Sequence, residues 1–421
     1  MTTLITNIQL LVNTRQDNQL LYGKQLAKLP CIKDAYLVIQ DGLIIDYGKM
    51  KDFVHRTSDF TEQVDAAGQT VLPAWCDSHT HLVFAASREE EFIDKIKGLS
   101  YAEIAAKGGG ILNSAKKLNA TSENELFNLA WKRLEEVSKL GTGAIEIKSG
   151  YGLSVEGELK MLRVIKKLKE KSNLSIKATF LGAHTYPVEY KENHQGYIDC
   201  IINEMLPVIA QEKLAEYIDV FCETGFFSAA ETETICNAGI SYGLKPKLHV
   251  NQLNSIGGIE TGIKLNALSL DHLETMTDED INNLAKASPK GGGLEGATIA
   301  TLLPTAAFFL RMPFQPARKL IDAGCAIALA SDFNPGSSPS GNMNLVIAMS
   351  CIQMKMLPEE AINAATINGA YAMELQNEAG SITVGKKANL IFTKPIPSLA
   401  YLPYAFGSNL IDKVMIKGQW V

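Results

Sequence analysis

Eight short apolar segments recur along the middle of this 421-residue chain, and stretches with the period of an amphipathic helix separate them. Alternating strands and helices predict a parallel sheet, because each connection between parallel strands crosses over through a helix. Eight such units within about 270 residues predict an α/β fold, the (β/α)8 or TIM barrel. The segments are 70–81, 143–150, 176–185, 217–224, 246–252, 267–274, 297–305 and 326–335.

Two of the intervening helices are predicted from the spacing of their apolar residues. The stretch 122–140 repeats apolar residues every three or four positions, and Ser122 with Glu125 has the pattern of a capping box. A second helix is predicted over 155–170 on the same grounds. The two strand predictions most open to doubt are those that Pro73 and Pro304 interrupt, because proline cannot donate a hydrogen bond to a neighbouring strand.

Both ends of the chain are strand-like. Residues 35–40 and 43–48 flank the dipeptide Asp41-Gly42 and predict a β-hairpin. After the last barrel helix, 380–392 and 413–421 again resemble strands with glycine turns. We therefore expect one small β domain built from both chain ends. The expected division is residues 1–68 and 376–421 for the β domain and 69–375 for the barrel.

The composition narrows the class of partner. The net charge is −6, with no long run of either sign, which argues against nucleic acid and favours a small-molecule substrate. The seven cysteines include no CxxC pair, which favours a reducing compartment. No basic residue precedes Arg15, and no apolar run approaches the ~20 residues of a membrane helix. We expect a cytoplasmic protein with no membrane partner.

Polar residues lie where the predicted strands end. Five of the seven histidines do so, whereas His55 and His194 do not. In a (β/α)8 barrel the carboxyl ends of the strands meet at one face, and catalytic residues lie there. The residues at these ends are His79, His81, Lys148, His184, Glu223, His249, His272 and Asp332.

The segment "CDSHTHLVF" places His79 and His81 two positions apart, so a strand would direct both side chains to the same face. Two imidazoles on one face can bind a metal, and His249 with Asp332 could complete the ligand set. Three nitrogens and one carboxylate oxygen suit Zn²⁺ or iron, with one position left for a water whose pKa falls to about 7.

Other interpretations of these residues stay open at this point. His272 could be a hydrogen-bonded core histidine, and the segment around His184 could be a simple turn. Lys148 and Glu223 could pair with each other or with backbone groups, and we assign them no chemistry. The glycines at 108–110 do not predict a phosphate-binding loop, because no Gly-Lys-Ser/Thr follows.

The stretches "DSHTHLVF" with Arg88, "EIKSGYGL" (146–153) and "SDFNPGSSP" (331–339), with others over nearly the whole chain, resemble the amidohydrolase superfamily and, within it, the imidazolonepropionase family. "HxH" alone marks only the superfamily, whereas "EIKSGYGL" and "SDFNPGSSP" are far more specific. The motifs are "DSHTHLVF" with Arg88, "SYAEIAAKGGGI" (100–111), "EIKSGYGL" (146–153), "LGAHTYP" (181–187), "HVNQL" (249–253), "DHLE" (271–274) and "SDFNPGSSP" (331–339).

The resemblance implies a metal-bearing barrel beside a small β-sandwich that both chain ends form. It also implies hydrolysis of the cyclic amide bond of 4-imidazolone-5-propanoate to N-formimidoyl-L-glutamate, a step of histidine degradation, by a homodimer. Glu223 stands where relatives with two metals have a bridging lysine, so we expect one Zn²⁺ or Fe³⁺ per subunit.

The resemblance also assigns residues to roles. His79, His81, His249 and Asp332 would bind the metal, and Asp332 and His272 would move protons. Gln252 replaces a glutamate that some relatives have, and an amide takes no proton, so Gln252 would orient substrate or water. The residues expected to bind the substrate are Arg88, Tyr101, Tyr151 and His184 at the propionate end, and Gln252, Asn334, Gly336 and Ser337 around the ring.

Two other functions remain as alternatives. A related cyclic amidohydrolase or an aminohydrolase such as a guanine deaminase would use the same metal ligands, although Arg88 with Tyr151 favours an acidic substrate. A catalytically silent ligand-binding barrel would retain the fold without the reaction, but a complete ligand set together with His272 argues against it.

Overall fold

The computed structural model describes residues 1–54, 59–99, 103, 107, 109–288 and 297–421. The strands of the described residues form two sheets of eight strands each. They are β1 Thr2–Val12, β2 Cys31–Gln40, β3 Leu43–Lys49, β4 Glu62–Asp65, β5 Thr70–Pro73, β6 Trp75–Asp77, β7 Thr142–Lys148, β8 Ser175–Ala183, β9 Tyr217–Cys222, β10 Lys245–Val250, β11 Ser269–His272, β12 Ile299–Leu302, β13 Ile327–Leu329, β14 Leu390–Thr393, β15 Ile411–Ile416 and β16 Gln419–Trp420.

The barrel consists of β6 to β13 in sequence order, and every neighbouring pair is parallel. Beyond the strand ends, Asp332 N donates to His79 O (3.0 Å) and His81 N to Phe333 O (2.9 Å), which joins the last strand to the first. All seven residues of β7 are buried, as expected for a strand covered on both faces. The fold predicted from the eight apolar segments is therefore confirmed.

The second sheet combines both ends of the chain, in the order β16-β15-β14-β5-β1-β2-β3, with β4 beside β1. β2 and β3 are antiparallel and form the predicted hairpin. The core of this second sheet includes Ile5, Leu37, Leu390 and Phe392, all nearly fully buried. Of the stretch 380–392, only its last three residues belong to a strand, Leu390–Thr393. We propose that the chain divides into an end domain, residues 1–68 and 376–421, and a barrel domain, residues 69–375.

The segment 70–81 divides at Ala74, where the chain passes from one sheet to the other. Thr70–Pro73 pairs with β1 and β14 of the end sheet, whereas Trp75–Asp77 pairs with β7 of the barrel. Ala74 N donates to Asn389 O of the end sheet (2.9 Å), and Trp75 N donates to Gly141 O of the barrel (2.8 Å). His79 and His81 thus follow the strand and lie in its extended continuation.

Both helices expected from periodicity are present, as Glu123–Lys139 and Val155–Lys171. Ser122 caps the first by accepting a hydrogen bond from Glu125 N at 3.2 Å. Within the described residues, no helix combines the length and the apolar character needed to cross a bilayer. The α-helices described are Glu89–Ile96, Ile111–Ala120, Glu123–Lys139, Val155–Lys171, His194–Cys200, Leu206–Glu212, Ala229–Ser241, Gly258–Lys264, Asp278–Ala287, Pro304–Leu310, Ala317–Ala323, Met343–Ile352, Pro358–Ala365, Ile367–Tyr371 and Tyr401–Tyr404.

Candidate active site

The four predicted metal ligands converge beyond the carboxyl ends of β6, β10 and β13. Asp332 Oδ1 lies 3.5 Å from Nε2 of both His79 and His81, and His81 Nε2 lies 3.4 Å from His249 Nε2. All four side chains are buried. Ligands about 2.0–2.1 Å from a tetrahedral metal are separated from one another by about 3.3 Å, so the spacing suits a shared cation.

One candidate donor atom is free to bind a metal. Among the described residues, the buried His79 Nε2 has no hydrogen-bond partner, whereas its Nδ1 lies 2.6 Å from Asp271 Oδ2. His249 Nδ1 is held in the same way by Asp219 Oδ2 at 2.8 Å. Metal-ligating histidines commonly use their second nitrogen in this way, because a carboxylate fixes the tautomer and the ring orientation. The residues present therefore fit a metal ion.

The electrostatics of this centre also favour metal ligation. Burial lowers the pKa values of His79, His81 and His249 well below the usual value, and the neighbouring cationic groups lower them further. The three rings are thus neutral at physiological pH, which is the form that binds metals. Burial raises the pKa of Asp332 to about 7. A cation beside Asp332 would favour its ionised form.

His272, at the end of β11, lies beside the metal ligands. Potential ligand atoms of His272, His79 and Asp332 all lie within 4.8 Å of one another. The His272 Nδ1 is 3.4 Å from Glu274 Oε1, which also accepts a hydrogen bond from Gln315 Nε2 at 2.9 Å. Burial lowers the pKa of His272, but the Glu274 carboxylate outweighs that effect with help from Asp332 and Asp271, and the pKa is raised. His272 thus presents a titratable ring next to the candidate metal ligands.

Strained backbone accompanies these side chains. Asn251, His272, Leu273 and Asp332 have φ values of 54°, 84°, 67° and 51°, although none is glycine. Such conformations cost about 1–3 kcal/mol each and cluster at functional sites. Asn251 directly follows β10, His272 and Leu273 lie at the end of β11, and Asp332 lies three residues beyond β13.

A cavity adjoins the metal ligands and contains most of the predicted substrate-binding residues. Tyr151, His184, Gln252, Asn334 and Ser337 line it. Phe221, which no motif indicated, also lines the cavity. It lies two positions from Asp219 in β9, so strand alternation directs both side chains to the same face. The lining residues are His81, Tyr151, His184, Phe221, His249, Gln252, His272, Asp332, Asn334 and Ser337.

Arg88 and Gly336 are not among these lining residues but lie next to each other. A Cβ atom on Gly336 would be 2.2 Å from Arg88 Nη1, so only glycine permits this approach. Arg88 Nε donates to Glu91 Oε2 (2.9 Å), and Glu91 Oε1 accepts from Gly110 N (3.0 Å). Arg88 is therefore held from one side, with Nη1 directed at the 334–337 loop. Tyr101 lies outside the described residues.

The 334–337 loop is organised by Asn334. Its Oδ1 accepts hydrogen bonds from Gly336 N and Ser337 N, both at 2.8 Å, and its Nδ2 donates to Asp332 O at 2.6 Å. Ser337 Oγ donates to Asp332 Oδ2 at 3.2 Å. The Asn334 amide thus shapes the loop, and the Ser337 hydroxyl orients the Asp332 carboxylate.

Glu158 shapes the turn that carries Tyr151, one of the lining residues. Its carboxylate accepts hydrogen bonds from the backbone N–H groups of Gly150 (3.0 Å), Gly152 (2.7 Å) and Leu153 (3.0 Å). These bonds fix the turn that carries Tyr151. His184 Nδ1 lies 2.9 Å from Gly150 O, and its ring stacks on that of His81. Burial lowers the pKa of His184 to about 4, so this ring is neutral.

Glu158→Gln is expected to lower the free energy of unfolding by about 1–3 kcal/mol, because an amide nitrogen cannot accept all of these bonds and leaves a buried N–H unpaired. Urea denaturation measures the change. Glu156→Gln, at an exposed position of the same helix, is the control and should be neutral. Equal stability of both variants would contradict this role.

The structure answers the question left open for Lys148 and Glu223. Lys148 Nζ contacts Glu146 Oε1 (2.7 Å) and Asp219 Oδ2 (2.8 Å). Glu223 accepts hydrogen bonds from Leu253 N (2.8 Å) and Asn254 N (3.1 Å) and so orders the segment after Gln252. Of the two interpretations, backbone pairing describes Glu223. Lys148 instead pairs with carboxylates that the sequence analysis had not singled out.

Comparison with known sequences gives one group of close relatives. A family model described as the amidohydrolase family matches residues 227–421. The imidazolonepropionase of Flavobacterium johnsoniae is 62% identical over 420 residues, which cover 100% of both chains. The imidazolonepropionase of Christiangramia forsetii is 57% identical over 422 residues, again covering 100% of both.

Solved structures share the fold at much lower identity. A guanine deaminase from C. acetobutylicum with bound guanine superposes with a TM-score of 0.71 at 16% identity, and the match covers 100% of both chains. An adenosine deaminase from Xanthomonas campestris with bound zinc gives a TM-score of 0.65 at 16% identity, covering 99% of this chain and 92% of the other. At this identity the likeness concerns the fold alone.

Proposed function

This chain belongs to the imidazolonepropionase family of the amidohydrolases, and we propose that its reaction takes place among His79, His81, His249, Asp332 and His272. The chain is a hydrolase of C–N bonds in a cyclic amide. It converts 4-imidazolone-5-propanoate to N-formimidoyl-L-glutamate in histidine degradation. The observation that carries the assignment to this site is the convergence of three imidazoles and one carboxylate beside a cavity.

We propose that His79, His81, His249 and Asp332 hold one Zn²⁺ or Fe³⁺ per subunit. Two observations support a bound metal. The donor atoms lie 3.4–3.5 Å apart, and His79 Nε2 has no hydrogen-bond partner among the described residues. Glu223 in place of a bridging lysine supports a single ion, because Glu223 is occupied by backbone N–H groups. When bound, such a metal supplies Lewis acidity, which lowers the pKa of water to about 7 and polarises a carbonyl.

The protein's own groups carry the proton in this proposal. Water adds to the ring carbonyl carbon and gives up one proton, which Asp332 accepts and passes to His272. His272 then donates a hydrogen bond to the developing oxyanion and returns the proton to the ring nitrogen as the C–N bond breaks. Glu274 supports this cycle, since a carboxylate 3.4 Å from Nδ1 stabilises the protonated form of His272.

The substrate is oriented from its two ends. Arg88, Tyr101, Tyr151 and His184 bind the propionate, for which a planar guanidinium is suited. The ring faces Gln252 and the 334–337 loop of Asn334, Gly336 and Ser337. Gln252 orients the substrate or water and does not act as a base, because an amide takes no proton at neutral pH.

Arg88→Ala is expected to raise KM by about 10- to 100-fold with a smaller change in kcat, because a charge-assisted hydrogen bond to the propionate contributes about 1.5–3 kcal/mol. Steady-state kinetics with the imidazolone substrate measures both constants. Arg163→Ala removes an arginine that pairs with Glu212 at the surface and should leave KM unchanged. An unaltered KM in Arg88→Ala would mean that the carboxylate binds elsewhere.

One experiment tests the assignment as a whole. Purified protein is assayed for N-formimidoyl-L-glutamate and, in parallel, for ammonia released from guanine. We expect only the first product. Ammonia release alone would favour the guanine deaminase alternative, which now rests on a shared fold at 16% identity. Metal-loaded protein that hydrolyses neither substrate would favour the silent barrel.

The homodimer and the cytoplasmic location are likewise proposals. The dimer is supported only by resemblance to the family, and gel filtration with light scattering tests it. The location is supported by the cysteines, since all seven are free thiols.

A further inference from the structure

A cluster of five buried charges lies beneath the metal ligands. Lys148 Nζ is 2.7 Å from Glu146 Oε1, 2.8 Å from Asp219 Oδ2 and 3.5 Å from Asp271 Oδ2. Lys247 pairs with the other oxygen of Glu146. All five side chains are 0% exposed. Burying unpaired charges costs several kcal/mol per ion, so each member depends on its partners.

Two members of this cluster also hold metal ligands. Asp219 Oδ2, which accepts from Lys148, lies 2.8 Å from His249 Nδ1, and the other oxygen of Asp219 accepts from His249 N at 3.0 Å. Asp271 Oδ2 lies 2.6 Å from His79 Nδ1 and 3.5 Å from Lys148. Lys148 thus contacts the same carboxylate oxygens that orient two imidazoles from different strands.

We propose that Lys148 is a positioning residue of this centre: its ammonium group holds Asp219 and Asp271 together and thereby fixes the orientation of His249 and His79 toward the metal. The inference rests on the proposed metal site and assigns to it a residue that touches neither metal nor substrate. Such outer partners typically change metal affinity or activity by about 10- to 100-fold when removed.

The direction in which metal affinity changes when Lys148 is removed distinguishes a positioning role from a purely electrostatic one. Lys148 is a cation near another cation, so Coulomb repulsion alone would weaken metal binding, and removing it would strengthen binding. If Lys148 acts by positioning, its removal releases the two carboxylates, the imidazoles lose their fixed orientation, and binding weakens. The two roles therefore predict opposite changes.

The test compares Lys148→Met with wild type and with Lys386→Met as a matched control. Lys386 is also a buried lysine, but it donates to Ala379 O (2.9 Å) and Ser381 Oγ (2.7 Å), away from the metal ligands. Metal-free protein is titrated with Co²⁺, and the dissociation constant and the visible absorption spectrum are recorded. We expect Lys148→Met to bind Co²⁺ about 10- to 100-fold more weakly with an altered spectrum, and Lys386→Met to match wild type.

Affinity equal to or tighter than wild type in Lys148→Met would overturn the proposal. Should that variant not fold, Lys148→Gln keeps one donor for Asp219 and is measured in the same way, with the same expectation. Lys148→Arg, which keeps the charge and several donors, should lose less affinity than either. Wild-type protein that takes up no Co²⁺ would overturn the metal site itself, which distinguishes that failure from a failure of the Lys148 role.

Discussion

His272→Ala is expected to lower kcat by about 10²–10⁴-fold, the usual contribution of a positioned proton carrier, while the protein keeps its metal. The proposed ligands Asp332, His79, His81 and His249 all remain in this variant. What is lost is the group that we propose takes the proton from water and returns it to the ring nitrogen. Steady-state turnover and elemental analysis of the same sample measure the two quantities.

His194→Ala provides the control for this variant. His194 is half-exposed and pairs with Glu231 at the start of a helix, away from the metal ligands. It should turn over at the wild-type rate. A kcat for His272→Ala that equals that of His194→Ala would remove His272 from the mechanism, and loss of metal in His272→Ala would show that it acts as a ligand.

Asp332→Ala is expected to lower both metal content and kcat/KM, the latter by about 10³-fold or more. When the metal is lost, the several kcal/mol of transition-state stabilisation that it supplies are lost as well. The Asp332 carboxylate faces the Nε2 atoms of His79 and His81 at 3.5 Å each. Elemental analysis and the hydrolysis assay measure the result.

Asp280→Asn is the matched control, since Asp280 is also a buried acidic residue but caps a helix through Thr277 N at 2.8 Å. It should lose stability and keep its metal. Full metal content in Asp332→Ala would show that the ion is held elsewhere.

The fold could be predicted because the apolar segments, the helical periodicity between them and the polar residues after them all indicate the same architecture. Each of the eight apolar segments overlaps a barrel strand, and His81, His184, His249, His272 and Asp332 from the strand ends line one cavity. The change of sheet at Ala74 could not be predicted, because two short strands joined by one residue have the same pattern as one long strand. Pro73, which interrupts that pattern, was the available signal.

The site was predictable only in part, because some of its contacts join segments that are distant in the sequence. Strand alternation directs Glu146 and Lys148 to the same face, but their partners Asp219 and Asp271 come from strands that are not neighbours of β7. Contacts across a barrel interior depend on its closure and cannot be derived from one segment. In the same way, the hydrogen bonds of Asn334 within its own loop depend on backbone geometry that a motif does not specify.

The central claim is that one cation is shared by His79, His81, His249 and Asp332. Anomalous X-ray diffraction from crystals of the active enzyme, recorded on both sides of the metal absorption edge, tests it most directly. We expect a single peak per chain, within bonding distance of the Nε2 atoms of the three histidines and of the Asp332 carboxylate. Active crystals with no peak there, or with the metal bound to other side chains, would contradict it.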